Sequence, residues 1–243
     1  MGFYNNDTSG KSQIEPDKWY HVAFVYNKEA QTQQVFLNGK LDGAGFNRAP
    51  YQGRTKMYIG RCFESNYFHG IITEVRLWDV ALSEEQIQSR INQSLQGNES
   101  NLRHYWPLTV GEDEKMPDIT HRKKHGKCQG VTFEKSTDSS PKKETSKAPT
   151  KLLKFDESQY VDLVPATQLG IVNKSFTFEC WFNIETINDS TNGGKGSNSK
   201  TLFGTDKTFN NQGMHLLIRN EVPFMGFYGN DTSGKSKIEP NKW

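Results

Sequence analysis

The carboxylates are the first residues that could do chemistry. Cleaving a glycosidic bond takes two of them flanking the bond, roughly 5–5.5 or 6.5–9.5 Å apart. The sequence offers Glu74 and Glu179, each the only acid on its alternating segment. A lone strand carboxylate reads as a solvent-facing position, so no catalytic residue is assigned. Asp118, His121, His125 and Cys128 have ligand types that suit zinc. Arg122, Lys123 and Lys124 lie between the two histidines, however, and the stretch reads as a solvated basic loop. Calcium wants hard oxygen ligands on loops. Asp7, Glu64 and Asn66 are the metal candidates for it, and calcium is the one cofactor the sequence leaves open. No glycine-rich phosphate loop, nucleophile elbow or His-Glu-x-x-His pattern occurs, so no cofactor-binding residue is assigned. Aromatic faces stack on sugars and on other flat groups. Tyr51, Phe63 and Tyr67 stand in turn-like segments and are the ligand candidates.

The elements that must position these residues are mostly strands. In FTFECWF, Phe176, Phe178, Cys180 and Phe182 alternate with Thr177, Glu179 and Trp181, the period of a half-buried strand. Further strands are expected at 19–26, 33–40, 57–60, 70–78, 152–155, 160–163, 214–219 and 224–228. Residues 19–26 and 33–40 are expected to form a hairpin, and Asn38-Gly39 is a favoured two-residue turn because both residues tolerate positive φ. Ser83-Glu84-Glu85-Gln86 has the form of a capping box, and Ile87, Ile91 and Leu95 follow at helical spacing with Gly97 as a stop. The expected class is all-β: an antiparallel two-sheet jelly-roll sandwich with one short amphipathic helix. One inner face is expected to gather Phe176, Phe178, Phe182, Val22, Phe24, Val35, Leu37, Val75 and Leu77.

Composition excludes several partners. Lys and Arg nearly balance Asp and Glu, for a net charge of +2, which gives no field to hold a nucleic acid. No apolar run is long enough to insert in a membrane. Three cysteines are an odd, sparse set and not a disulfide framework. Asn-x-Ser/Thr sequons at Asn6, Asn92, Asn98, Asn173, Asn188 and Asn230 would be glycan acceptors in a secreted protein.

An internal repeat organises the chain. Residues 1–19 and 225–243 differ only at Asn5/Gly229, Gln13/Lys237 and Asp17/Asn241. The sequence therefore reads as one period of a tandem repeat plus an overlap, with both ends falling inside a unit. Residues 134–151, EKSTDSSPKKETSKAPTK, have linker composition. They divide residues 1–133, the closing part of one repeat, from residues 152–243, the opening part of the next. A second polar stretch, 188–200, reads as a loop. Each part alone would leave sheet edges and an apolar face uncovered. The two are expected to close on each other in circularly permuted order, or to swap between chains. Phe224–Tyr228 and the strand from Trp19 are expected to hold their places, and about Met1–Tyr4 and Lys237–Trp243 to be displaced.

These segments resemble the laminin-G-like, concanavalin A-like jelly-roll superfamily, including its pentraxin branch. LLKFDESQYVDL is similar to the opening strand pair, SFTFECWF to the first core strand, and KWYHVAFVYNKEAQTQQVFLNGKLDG to the central hairpin. MYIGRCFESNYFHGIITEVRLWDVALSEEQI resembles the closing segment and its helix. The resemblance implies a non-catalytic, extracellular or cell-surface binding or adhesion module. Its ligands would be glycans or matrix proteins met at rim loops, with neighbouring repeats as further partners. The other readings are a structural stalk repeat and a glycoside hydrolase-associated domain. The paired carboxylates of laminarinase-type relatives have no counterpart here. The pentraxin disulfide would join Cys180 to the position of Ala23, so that bridge is missing.

Overall fold

The computed structural model describes residues 8–108, 115–135, 151–156, 158–185 and 199–228. It is a two-sheet antiparallel sandwich. Sheet I runs in the order Thr8–Ser9, Val222–Phe227, Met214–Arg219, Ser199–Gly204, Lys56–Ile59, Tyr160–Pro165, Gly126–Gln129, Lys115–Met116. Sheet II runs Thr132–Lys135, Lys151–Phe155, Gly70–Trp78, Phe176–Ile184, Trp19–Asn27, Thr32–Leu37, Lys40–Gly45, with Leu102–Trp106 also paired to Gly70–Trp78.

The two parts of the sequence close on each other within one chain. Phe178 from the second part stands between Phe24 and Leu77 from the first, paired to both. Every member of the expected inner face lies in one buried cluster between the sheets. Val222–Phe227 holds its place in sheet I and Trp19–Asn27 its place in sheet II. Met1–Tyr4 and residues 237–243 lie outside the described residues, as do residues 136–150 of the linker. The linker's ends do not match the expectation. Glu134 and Lys135 pair with Leu152 and Lys151 as an edge ladder of sheet II.

Sheet II is covered on both sides. Its inner face meets sheet I, and its outer face carries a second cluster of Ala23, Val25, Phe36, Trp78, Leu82 and Ile87 with Leu95, Leu102 and Tyr105. The capped helix Glu84–Arg90 supplies Ile87 to that cluster. It ends well before Gly97. The carbonyls that would leave its C-terminus unsatisfied are taken by side chains of the sheet. Arg76 donates to the carbonyls of Arg90 and Gln93, and the Trp181 indole N–H to that of Ile91.

Three further elements depart from the sequence reading. A second short helix, Ala166–Leu169, closes on Gly170 at φ 78°, the left-handed cap that favours glycine. Ser199 and Lys200 belong to a strand, not to the preceding polar stretch. The strand expected over 33–40 ends at Leu37, and the Asn38-Gly39 turn, with φ 50° and 80°, joins it to Lys40–Gly45, while the expected hairpin with the strand from Trp19 forms. Asn38 accepts from the His21 backbone N–H.

Phe178 packs at 4.5 Å centroid distance on Phe203 of the facing sheet. Phe178→Ala should cost about 3–5 kcal/mol in urea unfolding.

Candidate functional site

The outer face of sheet I carries one short hairpin, Arg61–Cys62 paired with Asn66–Tyr67. Its turn has Phe63 at φ 54° and Glu64 at φ 56°, with the Ser65 N–H donating to the Cys62 carbonyl at 3.4 Å. Two central residues at positive φ are what a type I′ turn requires, and Asn-Gly supplies them at low cost. Phe-Glu does not, so this turn is strained. Asp206 holds it in place. Its carboxylate accepts from the Glu64 backbone N–H at 3.0 Å and from Nε and an η nitrogen of Arg61. Cys62 pins the hairpin to the sheet, with its sulfur 2.9 Å from the Thr201 hydroxyl. Burial pushes the Cys62 thiol up to about 12, which leaves it unreactive.

Two aromatic groups flank the hairpin. On one side, the Arg61 guanidinium lies 4.4 Å from the Tyr58 ring centroid and 4.2 Å from that of Tyr160. Tyr67 stands 6.3 Å from Tyr160. On the other side, Phe63 contacts His215 and Tyr228 at 5.5 and 6.1 Å. His215 stacks on Phe224, over which Arg219 lies at 4.2 Å. Tyr58, Tyr160, Tyr67, Phe63 and Tyr228 are all half-buried, with part of each residue facing solvent. Burial, followed by the Asp206 charge, pushes the Tyr58 hydroxyl up to about 12, so it is a neutral donor at physiological pH.

Of the ligand candidates, Phe63 and Tyr67 are therefore on this face. Tyr51 is not. It has no exposed surface, packs on Phe227 at 5.4 Å and donates its hydroxyl to the Met57 sulfur. Tyr58, Arg61, Tyr160 and Tyr228 escaped the sequence reading. The signal was present: Tyr58 alternates with Met57 and Ile59, and Tyr160 with Val161, so both must face away from the core.

The metal candidates are not gathered. Glu64 is exposed and Asn66 turns its amide toward the Cys62 sulfur at 3.9 Å. Asp7 lies outside the described residues. Asp206, the nearest additional carboxylate, is engaged by Arg61. Among the described residues no group of three or more His, Cys, Asp or Glu side chains could hold a metal. Asp118 is buried against His104 at 2.8 Å, His121 is exposed, and Cys128 belongs to the core, so the zinc set is dispersed.

Glu74 and Glu179 are not solvent-facing. Both are buried under the helix on the outer face of sheet II. Arg76 bridges them, at 3.1 Å to Glu74 and 3.3 Å to Glu179. The Trp78 indole donates to Glu179 at 3.0 Å, His21 Nε2 lies 3.4 Å from it, and the Tyr105 hydroxyl donates to Glu74 at 2.5 Å. Glu74 sits at φ 55° where the ladder slips, with Glu179 opposite Arg76 and Trp181 opposite Thr73. This bulge shifts the alternation, so that Ile72 faces the inner core while Glu74 joins Arg76 on the outer face. Such a cluster fixes structure and offers no path to a substrate.

The architecture is an antiparallel two-sheet sandwich of the jelly-roll kind, with aromatic side chains on the outer face of sheet I. Residues 2–88 match the family Laminin_G_3, described as concanavalin A-like lectin/glucanases superfamily. The match takes in the strand from Trp19, the hairpin on sheet I, the strand Gly70–Trp78 and most of the capped helix. Comparison with curated proteins and with solved structures found no match. Among the described residues no helix is long and apolar enough to cross a membrane.

Burial raises the Glu179 carboxyl, but the bond and charge of His21, the Arg76 charge and the Trp78 N–H outweigh it and hold it at about 2, below its ordinary 4.5. A depressed folded value gives stability that is complete above the unfolded value and lost as pH falls through the folded one. In Glu179→Gln, the slope of unfolding free energy between pH 4.5 and 2 should flatten by up to about one proton, measured by urea titrations at several pH values.

Proposed function

We propose that this protein is a non-catalytic binding domain of an extracellular or cell-surface protein, and that it takes glycans on the outer face of sheet I. The observation that carries the reading is the ring–guanidinium stack of Tyr58, Arg61 and Tyr160, continued by Tyr67. Sugars present apolar C–H faces to such rings and hydroxyls to the polar groups beside them. Arg61 is already fixed by Asp206, so its remaining donors are preorganised, and little ordering entropy opposes binding. The strain of the Phe63-Glu64 turn is consistent with a segment shaped for a ligand rather than for stability.

The sequons support an extracellular setting. Asn92, Asn98 and Asn173 are all exposed, as an acceptor must be. Among the described residues no ligand set for calcium is gathered, and the reading does not require one. A role as a bare stalk repeat would leave the aromatic face without a purpose.

The test is a glycan array probed with the full chain, with and without calcium, beside Tyr160→Ala. Binding should survive chelation and weaken about twofold to tenfold in the variant, from a ring contact worth about 0.5–1.5 kcal/mol. Array binding unchanged in a folded Tyr160→Ala protein, or no binding at all, would overturn the assignment.

A further inference from the structure

Residues 8–18 lie as an arm along the edges of both sheets, in a seat built for them. Thr8 and Ser9 pair with Met225 and Phe224. The arm passes so close that a Cβ on Gly43 would stand 1.9 Å from the Ser9 carbonyl oxygen, and one on Gly10 would stand 1.8 Å from an Asp42 carboxylate oxygen. Gly10 donates its N–H to the Pro223 carbonyl, Ile14 to that of Glu221 and Asp17 to that of Ile184. The Ser12 N–H donates to Asp42 at 2.8 Å. Ile14 inserts its side chain into the main core, where it is 1% exposed.

The chain carries these residues twice. Ser9, Gly10, Ser12 and Ile14 recur as Ser233, Gly234, Ser236 and Ile238. The two differences inside the arm fall where the seat can read them. Gln13 reaches the Glu221 carboxylate with its amide. Lys237 would bring a full positive charge to that carboxylate, a stronger partner than a neutral amide. Asp17 holds φ at 59°. Asn241 suits that left-handed position, where asparagine is the usual substitute for glycine. Side-chain chemistry therefore does distinguish the copies, and it favours the second.

We infer that the arm seat is a peptide-docking site with two ligands in one chain, and that residues 232–242 compete with residues 8–18 for it. Only four residues, 228–231, join the strand Val222–Phe227 to Thr232. A tether that short gives an effective concentration in the millimolar range, which favours the chain's own second copy over that of another molecule. The inference is independent of the glycan reading, since the seat lies at the Thr8–Ser9 edge and uses none of Tyr58, Arg61, Tyr67 and Tyr160.

The experiment is a mutant cycle in the full chain. Ile14→Asp should expel the first arm and Ile238→Asp should disable the second. If the copies substitute for each other, each single variant keeps its melting temperature within about 2 °C, and the double variant drops by about 5 °C or more below either. In Ile14→Asp, the amides of residues 235–238 should gain protection from hydrogen exchange, and sedimentation should show a monomer. An Ile14→Asp chain that melts as low as the double variant, or fails to fold, overturns the inference. A dimer that forms only in Ile14→Asp would overturn it as well, because the seat would then be filled from a second molecule.

Discussion

A carboxylate without solvent is the constraint around which this sandwich is assembled. Glu179 belongs to the second part of the sequence and has no exposed surface. An ionised group in that setting costs several kcal/mol unless it is paired and hydrogen-bonded. The three groups set against it, His21, Arg76 and Trp78, all come from the first part. Neither part can bury this strand alone. Arg76 then extends the same cluster outward, to Glu74 and to the carbonyls at the end of the capped helix. One guanidinium thus joins the central strand pairing, the bulge at Glu74 and the lid of sheet II.

That lid decides which outer face is covered. The helix and the apolar cluster beneath it occupy the outer side of sheet II. Among the described residues, sheet I has the hairpin Arg61–Tyr67 on its outer side, held by Asp206 and Cys62. Its flanks keep tyrosines and Phe63 in partial contact with water. The fold therefore spends its buried charge on structure and leaves its aromatic and guanidinium groups at the surface.

Much of this was legible in the sequence because period-2 alternation reports directly on which residues share a face. It assigned Phe176, Phe178 and Phe182 to the core, and they are there. Alternation does not say what covers the opposite face. Glu179 does point away from the core, as FTFECWF implies, but that direction leads to the helix and not to water. The capping box marked the helix start through local hydrogen bonds. Its end depended on Arg76 and Trp181, distant in sequence, and could not be read locally. Tyr51 shows the same limit: a tyrosine in an aperiodic segment gave no hint of the Phe227 ring that buries it. On the proposed binding face, Phe63 and Tyr67 stood out through their turn, whereas Tyr58 and Tyr160 were hidden in short strands whose outward phase was not followed.

The claim that the two parts form one folding unit is tested most directly by cutting between them. A specific protease site placed within residues 136–150 of the full chain would allow cleavage after folding. The two fragments should stay together through size exclusion and unfold in a single transition at the same urea midpoint by Trp fluorescence and by circular dichroism. Fragments that separate under native conditions while each keeps its own cooperative transition would contradict the single sandwich.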